Sequence, residues 1–179
     1  IRCSNDLVLW RRCGEVFGTI PAWIKRASPT TQELWAPDIS YYNGTYRLYY
    51  AYSTFGKNTS GIALATNKTL DTKSPNYHWD DQGLVIRSTG NDDFNAIDPN
   101  FVVDDEAGTW LAFGSFWSGI KLVRLDPATG KPAADDDKLF PLAARSKPMN
   151  AAPAHPGLPP DWQAVEAPFI LRHDRYYYL

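Results

Sequence analysis

The sequence predicts an all-β fold of the propeller type, and three observations predict it. Three segments repeat one grammar: an acidic residue beside a proline, a short apolar strand, a tight turn, then an aromatic strand. Aromatic residues make up 14% of the chain, which short pleated strands accommodate better than long helices do. The chain's 14 Pro and 12 Gly fall at short intervals and leave no convincing helix of normal length.

The first unit runs from Ala36 to Tyr42, turns at Asn43-Gly44, and returns from Tyr46 to Tyr52. Asn-Gly between two such runs is the strongest short hairpin signal, because both residues tolerate the positive φ of a two-residue turn. A third strand is expected over Ile62–Thr66 and a fourth over Gly83–Arg87. The second unit begins at Asp98-Pro99, turns around Glu106-Ala107-Gly108 and returns through Trp110–Gly114. Ile120–Leu125 and a run near Leu139–Leu142 would complete it. The third unit begins at Glu166-Ala167-Pro168, turns at His173-Asp174 and resumes at Tyr176. Four short antiparallel strands per unit describe a propeller blade.

The spacing is 60 residues from Asp38 to Asp98 and 68 from Asp98 to Glu166, so the extra length falls in loops. Pro127 to Lys138 reads as a solvated inter-strand loop; its Asp135-Asp136-Asp137 run lacks the spaced ligands and glycine of a calcium loop. Lys147 to Asp161, rich in proline, reads as an extended surface connection. A closed ring needs at least about four blades, and this chain supplies about two and a half to three. It ends inside the strand-like run Tyr176–Leu179, so residues 1–179 are expected to be part of a longer propeller domain.

Eighteen Lys+Arg against 20 Asp+Glu give a net charge of −2 and a pI near 5.9. No basic field is present to attract nucleic acid. The longest uncharged stretch, Ala107 to Ile120, is too short for a membrane helix, which needs roughly 20 residues. Cys3 and Cys13 lack partners for a zinc site, and the sequence leaves open whether they are bridged or free. Sequons begin at Asn43, Asn58 and Asn67, each in an expected turn, and are compatible with secretion.

Strands of a blade alternate in direction, so first-strand starts share a rim with the second-to-third-strand loops. Asp38, Asp98 and Glu166 would therefore converge at one end of the channel. The loops Ser53–Gly61 and Ser115–Gly119 would bring Phe55, Ser60, Phe116 and Trp117 beside them. Acids among aromatic faces and small hydroxyl residues suit a sugar: rings stack on its apolar faces, and carboxyls move protons.

Four strings extend this reading: Leu34-Trp35-Ala36-Pro37-Asp38-Ile39-Ser40, Asn95-Ala96-Ile97-Asp98-Pro99-Asn100, Phe113-Gly114-Ser115-Phe116-Trp117-Ser118-Gly119-Ile120 and Val165-Glu166-Ala167-Pro168-Phe169. Together they resemble the endo-1,5-α-L-arabinanases of glycoside hydrolase family 43. The resemblance implies a five-bladed propeller that hydrolyses internal bonds of arabinan, a pectin side chain, with inversion, outside the cell. Glu166 corresponds to the proton donor and Asp98 to the acid that modulates its pKa and orients it. Asn95, Ala96, Ile97, Ser115, Phe116, Trp117 and Ser60 would border the substrate, with Phe55 as a stacking platform and Asp38 in support.

The catalytic base of the family matches no acid in this chain and is expected before residue 1. The tail of that first blade would be Ile1–Trp10, with Asp6 on an outer strand. No cofactor is implied and no metal ligand is assigned here; any ion in the channel would draw its ligands from outside this chain. The complete protein is expected to be a monomer, and the chain by itself to be inactive. Two other functions fit the same residues. One is an exo-acting arabinofuranosidase or xylosidase; the other is a propeller that binds carbohydrate without cutting it.

Overall fold

Residues 45–52, Thr-Tyr-Arg-Leu-Tyr-Tyr-Ala-Tyr, offer bulky groups to both faces of a strand, so a sheet built on them must be covered on both sides. The computed structural model, which describes residues 1–144 and 165–179, satisfies that demand. The central sheet is antiparallel: β3 (Leu34–Tyr42), β4 (Thr45–Tyr52), β5 (Gly61–Asn67) and β6 (Asp80–Arg87) lie in sequence order. On one face Tyr49, Ala51, Ile62 and Leu64 join Ile97, Phe101, Leu111, Phe113, Val123 and Leu125 in a core shared with the next sheet. On the other, Leu48, Tyr50, Tyr52, Ala63 and Ala65 pack against Ile24, Val16, Phe17, Ile20 and Trp23 from the N-terminal segment.

The second sheet repeats the pattern with β7 (Asn100–Asp104), β8 (Gly108–Phe113), β9 (Ile120–Leu125) and β10 (Phe140–Ala143). A third unit begins with the hairpin β11 (Leu171–His173) and β12 (Tyr176–Tyr178), so the tyrosine triplet is strand. The expected hairpin at Asn43-Gly44 is present, with Tyr42 opposite Thr45 and both turn residues at positive φ. Every strand expected from Ala36 to Leu142 forms, with ends shifted by a few residues. Each four-stranded sheet is one blade of a propeller.

Four findings correct or refine the expected picture. First, residues 4–10 form no strand. Only β1 (Arg2–Cys3) and β2 (Arg11–Arg12) pair, and Cys3 and Cys13 are bridged across them. Asp6 caps the intervening loop instead, accepting the N–H groups of Val8 and Leu9 at 2.9 and 2.8 Å. Second, the helix found among the described residues is well short of normal length, as expected: the six-residue α1 (Ala22–Ala27) lies between β2 and β3 and seats Ile24 in the core.

Third, the 127–138 loop is not merely solvated. Gly130 and Ala133 are buried, the Tyr49 hydroxyl donates to the Gly130 carbonyl at 2.8 Å, and Arg47 donates to the Pro127 carbonyl. The loop thus supplies carbonyl acceptors to two buried donors of the sheet. Fourth, two of the three sequon asparagines are buried. Asn58 donates its amide to the Asp92 and Phe94 carbonyls, and Asn67 accepts from the Thr69 and His78 N–H groups. Asn43 alone of the three is exposed. The extended connection expected at 147–161 lies outside the described residues.

The loop between β8 and β9 is bracketed by two glycines that no other residue replaces without strain. Gly114 has φ 128°, and a Cβ there would sit 2.6 Å from the Gly119 carbonyl oxygen. Gly119 has φ 84°, and its Cβ would collide with the Ala143 carbonyl. The rigid backbone on both sides gives no room to yield. Gly119→Ala is expected to destabilise the intact protein by about 2 kcal/mol or more, read by chemical denaturation. A loss under about 0.5 kcal/mol would show that the loop adapts.

Candidate active site

Aligning the three units on their prolines gives Trp35-Ala36-Pro37-Asp38, Ile97-Asp98-Pro99-Asn100 and Glu166-Ala167-Pro168-Phe169. The residue before proline has positive φ each time: 34° at Ala36, 56° at Asp98 and 54° at Ala167. Proline disfavours the right-handed helical region for its predecessor, and the left-handed region costs a non-glycine residue about 1–3 kcal/mol. Such a kink persists only where the surrounding structure imposes it. In all three units the residue just ahead of the kink, Trp35, Ile97 or Glu166, lines one cleft of about 540 Å³.

The expectation that the three acids share one repeat position is therefore corrected. Glu166 stands before the kink, Asp98 at it and Asp38 beyond it, so they face different surroundings. Glu166 is exposed at the cleft wall. Its Oε2 accepts the Ser115 hydroxyl at 3.0 Å, and the neighbouring Phe116 N–H donates to the Val165 carbonyl at 3.0 Å. These two bonds dock the Glu166 segment onto the β8–β9 loop. Asp98 is half-buried and accepts the Ala167 N–H at 3.2 Å. Burial lifts its carboxyl above the usual range; the Ala167 N–H opposes this, and the charge of Glu166 adds to the rise.

Asp38 does not line the cleft. Its Oδ2 accepts the Phe101 N–H at 2.7 Å, across the gap between blades. Burial raises its carboxyl too, opposed by that N–H and by the Asn100 amide. Ser60 and Ala96 also lie beneath the cleft surface. Ser60 is buried with its hydroxyl 2.7 Å from that of Ser53, and the Ala96 N–H donates to the Ser88 hydroxyl at 2.9 Å. Asn95 is buried yet borders the cleft, and its Oδ1 has no partner among the described residues.

The walls are aromatic. Phe55 is 81% exposed and Trp117 48%, and neither belongs to a core cluster, so neither packs a blade. Phe116 and Trp117 are both left-handed, at φ 53° and 40°, within the loop that Gly114 and Gly119 pin. Three lining residues, Trp35, Gly56 and Lys57, escaped the sequence reading. Trp35 occupies the place in its unit that Glu166 occupies in the third, a signal that alignment on the prolines exposes. Lys57, also in the wall, has no such signal. Among the described residues no group of three His, Cys, Asp or Glu side chains gathers to hold a metal ion.

Exposed aromatic walls, a carboxyl at the cleft edge and a second carboxyl beside it thus stand together at one rim of a β-propeller. The chain belongs to the glycosyl hydrolases family 43, whose pattern it matches over residues 1–179. It is 44% identical, over 100% of its length, to the extracellular exo-alpha-(1->5)-L-arabinofuranosidase ArbA of Cellvibrio japonicus, of which it covers 51%. It is 43% identical over 98% of its length to the extracellular endo-alpha-(1->5)-L-arabinanase 1 of Bacillus subtilis, covering 49% of that protein. Among solved structures it resembles the Cellvibrio cellulosa alpha-L-arabinanase complexed with arabinohexaose. The TM-score is 0.84 at 43% identity, covering 98% of this chain and 55% of that one. The chain thus spans about half the length of the relatives it matches.

The raised carboxyl at Asp98 has a pH consequence. Stability owed to its protonated form is complete below its ordinary 3.8 and is lost as pH rises through the raised folded value. Asp98→Asn removes that loss while keeping an acceptor for the Ala167 N–H. The variant's melting temperature relative to wild type is expected to be more favourable at about pH 7 than at about pH 3.5. A difference that is equal at both, or reversed, would contradict the assigned environment.

Proposed function

We propose that the protein carrying this chain is an extracellular arabinanase that cleaves internal α-1,5-L-arabinofuranosidic bonds with inversion, using Glu166 as general acid and Asp98 as the acid that tunes and orients it. The observation that carries this reading is the meeting of Glu166, Asp98 and exposed aromatic walls at one rim of the propeller. The extracellular names of both relatives and the Cys3–Cys13 bridge support a site of action outside the cell.

Ser115 occupies Oε2 of Glu166, which leaves Oε1 to present a proton to the leaving oxygen of a chain lying in the cleft. Asp98, joined through the next residue's N–H, holds the Glu166 backbone and places a like charge nearby. Burial raises the Asp98 carboxyl, and the neighbouring charge of Glu166 adds to that rise, because like charges disfavour a second ionisation. Trp35, Phe55 and Trp117 offer faces to the apolar sides of the sugar rings. An inverting reaction also needs a base carboxylate roughly 6.5–9.5 Å from the acid, on the opposite face of the sugar. That base is assigned to no acid of this chain. Asp38 does not substitute for it, because its carboxylate is engaged by the Phe101 N–H away from the cleft.

An exo-acting reading also has a specific observation in its favour, since one relative that the chain matches is named an exo-acting arabinofuranosidase. Product analysis of the intact protein on linear arabinan separates the two. Mixed oligomers early in the reaction are expected; a single small product from the start would favour the exo reading. Glu166→Gln and Asp98→Asn are each expected to cut turnover at least about a hundredfold. Near-wild-type turnover in either would overturn its assignment.

A further inference from the structure

The kinks at Ala36, Asp98 and Ala167 leave the place just beyond each proline free for another task. That place holds Asp38 in the first complete blade and Asn100 in the second. Both side chains do the same thing: each reaches forward to the following blade and accepts one backbone N–H in or just ahead of its first strand. Asp38 Oδ2 takes the Phe101 N–H at 2.7 Å, and Asn100 Oδ1 takes the Ile170 N–H at 2.8 Å. Phe101 and Ile170 are themselves equivalent, two places after their prolines. The two links are joined, because the Asn100 amide donates to the Asp38 carboxylate. Asn100 is buried and Asp38 half-buried, so water competes weakly for these bonds.

The segments so fixed are those that carry the chemistry. Phe101 lies three residues after Asp98, and Ile170 four after Glu166. Asp98 adds a third forward link, to the Ala167 N–H. The third unit places Phe169, an exposed apolar residue, where Asp38 and Asn100 stand, so the series stops after two steps.

We propose that Asp38 and Asn100 are positioning residues, a hydrogen-bond chain across three blades that sets Asp98 and Glu166 at the spacing glycosidic cleavage needs. The proposal rests on the functional reading above. Neither residue touches the substrate cleft; they act through the backbone of the residues that do. Phe55 and Trp117 stand on other segments, so stacking of sugar rings on them is largely independent of the chain. A misplacement on the order of 1 Å at reacting groups costs up to about a hundredfold in rate.

The test exchanges the two side chains in the intact protein. Asp38→Asn removes one acceptor facing the Asn100 amide, and Asn100→Asp sets two carboxylates together. The double variant Asp38→Asn/Asn100→Asp rebuilds the chain with its polarity reversed. The amide at position 38 donates to the carboxylate at position 100, and oxygens remain for both backbone N–H groups. Its composition and net charge equal those of wild type.

On linear arabinan each single variant is expected to lose at least about tenfold in kcat, with KM changed less than about threefold. The double variant is expected to recover to within about threefold of wild-type kcat. Wild-type kcat in both single variants, or a double variant no better than the worse single one, would overturn the proposal. Asn100→Ser covers failure of the charged variants to fold. It leaves the Asp38–Phe101 bond intact, and wild-type kcat in it would equally overturn the proposal. Wild-type protein that leaves arabinan uncut would overturn the functional reading instead, and the unsubstituted control shows this first.

Discussion

Left-handed backbone before a proline is the constraint on which the rest of this structure depends. Each blade starts with such a kink, and the kink sorts three successive side chains to three destinations. The residue ahead of it enters the cleft. The residue at it, where polar, stays within reach of the next blade's backbone. The residue beyond it turns toward the neighbouring strand. Because the kink recurs at Ala36, Asp98 and Ala167, a chemical role is decided by position relative to the proline. Moving a carboxyl by one residue moves it from solvent-facing cleft to inter-blade seam.

The same constraint explains the mixture of strain and order around the cleft. Phe116 and Trp117 are also left-handed, and they are held by Gly114 and Gly119, whose own geometry excludes a side chain. Strained residues thus cluster at the site, while the shared core of Tyr49, Leu64, Phe101, Leu111 and Phe113 lies behind it. Burial of that core and the inter-blade hydrogen bonds offset a strain of about 1–3 kcal/mol per kinked residue. Electrostatics follow from the same placement. Asp98 and Asp38 are taken partly out of water by the kink and both are raised by burial, whereas Glu166, one residue earlier in its unit, remains in the exposed wall.

Much of the fold was legible in the sequence because its signals are local. Asn43-Gly44 and the alternating aromatic strands declare their hairpins, and four-stranded units follow from spacing. The rim that gathers Asp98, Glu166, Phe55 and Trp117 was legible too, since strand direction alone decides which ends share it. What escaped depends on backbone geometry or on distant partners. The three acids look equivalent beside their prolines, although their offsets from the proline differ, and the φ values show why that offset decides what each one faces. Ser60 and Ala96 sit in promising loops, but burial against Ser53 and Ser88 withdraws them from the surface. The Asp6 loop resembles strand by its Leu-Val-Leu-Trp run, yet a single carboxylate accepting two backbone N–H groups holds it as a turn. Trp35 was hidden by being aromatic in an aromatic-rich strand.

The central claim is that Glu166 faces a sugar chain held between the aromatic walls. A crystal structure of the intact Glu166→Gln protein with arabinohexaose tests it most directly. A glycosidic oxygen is expected within about 3.2 Å of the side chain at position 166, with sugar rings on Phe55 and Trp117. A hexaose bound elsewhere, or one that crosses this cleft with its glycosidic oxygens beyond reach of position 166, would contradict it.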